Sequence, residues 1–341
     1  MTVHRGSTHA AGHASVDALL AEVLAASLPL PTTIWGFGVG DFLSGLVRAG
    51  AVLERLELVA EVRARVLPAL ARPPDPTDHL IPVEALCQLE KVDPSVDIRR
   101  LCRRWVGAVT SAMRPTAGQP PVHRPDLPRW RSTIWVDCMH TDGPGLALLG
   151  KTDEAVSILR ESAAVLQRDD GLFQHGYDVL DQRGNGVAWG RGQAWALQGL
   201  VGTLGHPAVD RGSVVDLRVR LDRLVEALAR HEDRGRWHTV VDDSGSPAED
   251  SIGAYVAWLV PAAVRHRLVD PSFLSMTARA RDATLANLQA GVLPTSEATP
   301  VGTADEYRAR GVGAHPWGQA PVLHLLLDHR EQASLATKGS T

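Results

Sequence analysis

The sequence predicts an all-α fold, a six-hairpin (α/α)6 barrel. Two observations predict it. About twelve segments carry helix-type apolar spacing bounded by start and stop signals, while strand-type alternation is scarce. Short and long connections also alternate along the chain, as expected when helical hairpins are arrayed in a ring with the long loops on one face.

The helical segments fall at roughly 14–28, 38–50, 55–71, 79–90, 96–113, 136–149, 152–167, 191–204, 213–231, 250–267, 271–290 and 318–332. Residues 1–13 are polar and predict a flexible N-terminus, 14–332 form one barrel domain, and 333–341 form a small, polar, flexible tail. Gly150-Lys151-Thr152 and Asp270-Pro271-Ser272 are tight connections with a C-cap glycine and an N-cap aspartate. The connections at 114–134, 169–190, 232–249 and 290–315 are long, and loops of that length in a compact domain are usually functional or disordered. A short strand pairing is expected around Trp237 to Val241.

Composition narrows the function. The 341 residues carry a net charge of −4 with no basic block, which argues against nucleic acid as a partner. No apolar run is long enough to span a membrane. The segment 19–30 is interrupted by Glu22 and followed by prolines, so it predicts an amphipathic helix and not a signal peptide. Cys87, Cys102 and Cys138 lack zinc-type spacing and sit in apolar surroundings, which fits a reduced, cytoplasmic protein. His and Cys are too dispersed for a metal site. Nine Trp against three Tyr and four Phe is an unusual balance, and flat, donor-bearing indoles suit sugar rings as well as cores.

In a six-hairpin ring, the second helix of each hairpin opens on the long-loop face. The six openings are Trp35-Gly36-Phe37-Gly38, Asp78-His79, Trp135-Val136-Asp137, Trp189-Gly190-Arg191-Gly192, Glu249-Asp250-Ser251 and His315-Pro316-Trp317-Gly318-Gln319. Trp, Asp, His, Arg and Gly recur there, while helix interiors are mostly Leu, Val and Ala. Helix N-termini converging on one pocket also present N–H groups and positive dipole ends, which favour an anionic ligand.

Asp137 is the candidate acid/base. A carboxylic acid must be desolvated to stay protonated near neutral pH, and Trp135 is placed to do that. An aspartate at a helix start is also a common N-cap, and Asp78 carries the same ambiguity as a second carboxylate. Arg191 sits between the indoles of Trp189 and Trp195, either to grip a carboxylate or to stack on Trp as a structural contact. His175 can reach a substrate oxygen from its loop, and His140 lies one turn after Asp137, where it could pair with it. Gly36-Phe37-Gly38-Val39-Gly40 lacks the strand and spacing of a phosphate loop.

With these residues assembled, the chain resembles the unsaturated uronyl hydrolases of glycoside hydrolase families 88 and 105, especially the unsaturated rhamnogalacturonyl hydrolases. The resemblance runs in family order over about residues 30–330. It rests on Trp135-Val136-Asp137, the Gly171-Leu172-Phe173…His175-Gly176-Tyr177-Asp178 loop, Trp189-Gly190-Arg191-Gly192-Gln193-Ala194-Trp195, Glu249-Asp250-Ser251 and Trp317-Gly318-Gln319. It implies the same barrel and an unusual hydrolysis, in which an aspartate protonates C4 of a 4,5-unsaturated uronic acid and water adds at C5. It implies Asp137 as acid/base, Asp78 as second aspartate, and Trp189, Arg191, Trp195 and His175 as substrate contacts. Trp35, Trp135, His140 and Trp317, at or beside the helix openings, are further candidate substrate-binding residues. It implies no metal or organic cofactor, and an anionic oligosaccharide or small molecule as substrate.

The chain departs from the family pattern in the polar residues after Asp137, in the Pro- and Arg-rich segment around His123, and at Gln193-Ala194. These departures keep two other readings open: a barrel repurposed for proton-initiated isomerisation or cyclisation of a secondary metabolite, and a non-catalytic sugar-binding barrel.

Overall fold

The computed structural model describes residues 7–32, 37–70, 81–94, 102, 118 and 120–338. Trp35, Asp78 and nearly all of the helix expected over 96–113 lie outside the described residues.

The helices are α1 (Ser7–Ser27), α2 (Val39–Val52), α3 (Leu56–Leu70), α4 (Val83–Val92), α5 (Cys138–Leu148), α6 (Thr152–Leu166), α7 (Gly190–Leu204), α8 (Val215–Arg230), α9 (Asp250–Arg265), α10 (Leu274–Ala286), the one-turn α11 (Ala304–Arg308) and α12 (Pro316–Lys338). Six of them close a ring: α2 packs on α4, α4 on α5, α5 on α7, α7 on α9, α9 on α12, and α12 back on α2. Outside the ring, α1 covers α12, α3 covers α2 and α4, α6 covers α5 and α7, α8 packs on α7, and α10 packs on α9. This is the six-hairpin (α/α)6 barrel expected from the alternation of connections.

Patterning accounts for the two rings. The outer α8 buries Leu217, Leu221, Leu224, Val225 and Leu228 along one stripe and shows charged residues elsewhere. The inner α7 is buried on nearly every side, so beyond its first turn, which holds Arg191, it carries mainly Gly, Ala, Leu and Val and no charge. One apolar core runs from Ile134 and Met139 through Trp195 and Leu200 to Tyr255, and a second joins Leu20, Phe42, Leu46 and Leu323.

Two details differ from expectation. The first helix begins at Ser7 where apolar spacing placed 14, and the last continues to Lys338 where it placed 332. Small sheets also decorate the loop face. β1 (Thr133–Trp135), β2 (Gly176–Asp178) and β3 (Arg183–Gly184) form one antiparallel sheet, and β4 (Pro294–Ser296) pairs with β5 (Val312–Ala314). Segments of two or three residues are too short for period-two alternation to show. The pairing expected around Trp237 to Val241 consists of isolated bridges, Trp189 with Val240 and His238 with Ala248. Among the described residues no helix is long and apolar enough to cross a membrane.

Candidate active site

The β1–β2 pairing assembles the centre. Trp135 lies opposite Gly176, and the Val136 N–H donates to the His175 carbonyl at 2.9 Å. That register brings Asp137 and His175 together, although 38 residues separate them. Asp137 occupies the N-cap position of α5 but has helical φ and ψ, and its side chain makes no cap hydrogen bond. The carboxylate turns instead to His175, with Oδ2 2.7 Å from Nε2. Both residues are buried. The cap alternative is thereby set aside by geometry, since a capping carboxylate would accept from the first N–H groups of α5.

Aromatic rings enclose the pair. Trp189 lies 4.4 Å from the His175 ring and Trp135 meets it edge-on at 5.8 Å. Phe37 stacks on Trp135 at 6.0 Å, and Trp130 meets it edge-on. On the far side of His175, Nδ1 contacts the hydroxyl of Tyr307. His140 does not pair with the carboxylate. Its Nδ1 meets the Asp137 backbone carbonyl, and its ring stacks on Trp195 at 4.3 Å.

Arg191 is a buried hub. Its Nη1 donates to Ser296 O and Oγ at 3.1 Å and stands 3.4 Å from Glu249 Oε1, while Nη2 donates to Glu297 O at 2.8 Å. The guanidinium lies between Trp189 (4.6 Å) and Trp317 (5.1 Å). Burial lowers its proton affinity, and Glu249 and Asp137 oppose that. Glu249 caps α9 by accepting from Ser251 N, and also accepts from Ser296 N.

Two glutamines at the fourth position of their helices lock the preceding loops. Gln193 accepts from Phe173 N and donates to Phe173 O and Trp189 O, and Gln319 accepts from Leu293 N and donates to Gly291 O. Close approach is secured by glycine. Gly38 has φ +75°, and a Cβ there would lie 2.7 Å from Trp317 Cβ and 3.1 Å from Trp195 Cη2. A Cβ on Gly192 would lie 2.8 Å from Val136 Cγ1.

Beside His140 the ring interior holds a second polar group. Asp41 accepts from Gln198 Nε2 (2.5 Å) and Tyr255 Oη (2.9 Å), and its carbonyl faces His324 Nε2 at 3.1 Å. Glu84 faces a small cavity shared with Asp41, His140 and Thr141. Burial, then the Asp41 charge, pushes Glu84 up to about 7, and burial holds His324 down at about 4.

The structure therefore brings Trp135, Asp137, His140, His175, Trp189, Arg191, Trp195 and Trp317 into one connected cluster. Sequence reasoning missed Tyr307, Asn185, Trp130 and the Asp41–Glu84 group. A signal for Tyr307 was present: Thr303 and Glu306 form a capping box that ends on it. Among the described residues, no three His, Cys, Asp or Glu are arranged to hold a metal ion.

A ring of helices whose loop face gathers a buried carboxylate, indoles and a buried guanidinium has the makings of a carbohydrate-active barrel. The chain belongs to Glycosyl Hydrolase Family 88, whose profile matches residues 31–332. Its fold is similar to a possible member of the GH105 family from Klebsiella pneumoniae (21% identity, 97% of this chain and 96% of that one, TM-score 0.83). A second possible GH105 member, from Salmonella enterica, superposes equally well (19%, 97% and 97%, TM-score 0.83). The unsaturated glucuronyl hydrolase of Bacillus sp. GL1, described as responsible for glycosaminoglycan degradation, matches at 16% identity over 94% of this chain and 98% of its own (TM-score 0.70). None of the curated proteins matches the chain in sequence.

Proposed function

We propose that the protein hydrates the 4,5-unsaturated uronic acid at the non-reducing end of an oligosaccharide, with Asp137 as acid and base. The observation that carries this is the Asp137 carboxylate, free of capping duty, buried among indoles and held through Oδ2 by His175. Family membership and the likeness to an unsaturated glucuronyl hydrolase support the same reading.

The reaction needs one carboxyl group and one water. Asp137 gives its proton to C4, breaking the C4=C5 π bond and leaving oxocarbenium character at C5. The resulting carboxylate takes a proton from water as the oxygen adds to C5, which restores the acid. The C5 hemiketal then opens to a ketone and leaves a hemiacetal at C1, which collapses to an aldehyde as its C1–O bond breaks and the aglycone alcohol leaves. A buried carboxylate stabilises the cationic stage, and a neighbouring His that donates to one oxygen leaves the other for the proton.

The indole N–H groups of Trp135, Trp189 and Trp195 are buried without an acceptor among the described residues, and donors of this kind suit sugar and carboxylate oxygens. Arg191 contributes its positive field to a uronate, its donors being already engaged by Glu249, Ser296 and Glu297. Asp78 is the second carboxylate of this proposal, on the family order of its motif. The buried thiols Cys87, Cys102 and Cys138 support a cytoplasmic setting.

The test is loss of the ultraviolet absorbance of the conjugated enol ether, with a panel of unsaturated disaccharides and the wild type beside Asp137→Asn. Loss in the wild type, slowed by about 10²–10⁴ in the variant, is the expected result. A folded wild type inert on every substrate overturns the assignment and favours a repurposed barrel.

A further inference from the structure

The geometry points to Tyr307 as a positioning residue that fixes His175 in its neutral, Nε2-protonated tautomer and so reserves one oxygen of Asp137 for the reacting proton. The functional half of this inference rests on Asp137 being the acid; the tautomer itself does not.

The argument starts at Asn185. Its Oδ1 accepts from the backbone N–H of Gly176 (3.2 Å) and Val187 (3.4 Å), which fixes the orientation of the amide. The Nδ2 group is therefore the donor, to Gly302 O at 3.0 Å and to the Tyr307 hydroxyl at 3.2 Å. The Gly302 N–H donates to the same hydroxyl at 3.3 Å. A phenol oxygen has two acceptor sites and one hydrogen. With both sites filled, the hydrogen remains for the third neighbour, Nδ1 of His175.

An Nδ1 that accepts is unprotonated, so the imidazole proton sits on Nε2 and is donated to Asp137 Oδ2. One consequence follows. Oδ2 is always an acceptor, which assigns the exchanging proton to Oδ1. Burial pushes the Tyr307 phenol upward, so it keeps its hydrogen.

The surrounding chain is built to place this hydroxyl. Tyr307 sits on a helix of one turn, set by the reciprocal Thr303–Glu306 capping box. Its loop is tied down by Trp130 Nε1 donating to Val301 O at 3.0 Å.

The experiment is long-range proton–nitrogen correlation of imidazole-labelled protein, wild type beside Tyr307→Phe and Asn185→Ala, with His175 assigned by its loss in His175→Gln. The expected wild-type pattern is protonated Nε2 and bare Nδ1. Tyr307→Phe, in which no hydroxyl donates to Nδ1, and Asn185→Ala, which frees one phenol acceptor site, should both show a mixture of tautomers. In turnover, Tyr307→Phe should lose kcat by roughly 10- to 100-fold, the equivalent of one buried hydrogen bond, with KM little changed. A wild-type His175 protonated on Nδ1, or a Tyr307→Phe variant with unchanged tautomer, overturns the inference. Because the spectrum is read without substrate, it decides the tautomer even if the chain acts on no unsaturated uronide.

Discussion

Consider replacing Arg191 by Met. The residue is 1% exposed, as is Glu249, so the pair has no solvent to fall back on. Met fills much of the volume between Trp189 and Trp317 and keeps van der Waals contact with both rings. It removes the charge facing Glu249 and the donors to Ser296 and Glu297. Glu249 then keeps only the Ser251 and Ser296 donors, and breaking a buried pair by removing one partner costs about 3–5 kcal/mol. Changing Glu249 to Gln as well removes the stranded charge while an amide oxygen still accepts from Ser251 N. The double variant should therefore recover about 2–3 kcal/mol of the loss, a coupling typical of contacting residues. The assay is urea denaturation of the four proteins followed by circular dichroism, compared at constant m. If Arg191→Met alone leaves the midpoint unchanged, or if the two substitutions are additive, the guanidinium is not a structural strut. A variant of full stability that loses only affinity for unsaturated uronides would assign Arg191 wholly to substrate.

Two further outcomes can be checked in the same way. Glu84 stays protonated in the folded chain up to about 7, whereas its ordinary value is 4.5, so the folded state holds the extra proton across that window. Stability from this residue therefore falls as pH rises from about 4.5 to about 7, by at most about 3 kcal/mol. Glu84→Gln should remove the fall, giving a variant that gains on the wild type between urea titrations at acidic pH and above pH 8; parallel curves would refute it. Gly192→Ala places a Cβ against Val136, the neighbour of Asp137, and should cost about 1–3 kcal/mol together with turnover. A fully stable and fully active Gly192→Ala would show that the contact of Val136 with α7 yields without moving the acid.

Much of the barrel was legible because it rests on local signals. Apolar spacing locates α8, and Gly150 and Asp270 mark tight turns whatever else the chain does. The recurrence of Trp, Arg and Gly at helix openings was legible too, because polar and aromatic residues stand out where a helix interior would be Leu, Val and Ala. The strands were not legible. Gly176–Asp178 and Pro294–Ser296 hold their conformation through partners from elsewhere in the chain. The true starts of some helices were also hidden: α4 begins at Val83, after Pro82, where spacing placed the start at 79.

The sequence by itself determined that this chain folds as paired helices, that their long loops share a face, and that Asp137 and Arg191 stand at openings on it. It did so because periodicity, caps and turn residues act within a few positions. Only the tertiary structure decided what those side chains do. Whether Asp137 caps α5 or meets His175, whether His140 pairs with the carboxylate or the carbonyl, and which donors Arg191 spends on Glu249 and Ser296 depend on atoms tens to hundreds of positions away. The Tyr307 hydroxyl shows this most clearly, since it reaches His175 across 132 positions. Hydrogen bonding is directional and short-ranged, so its partners are chosen by the packed fold and not by neighbours in the chain.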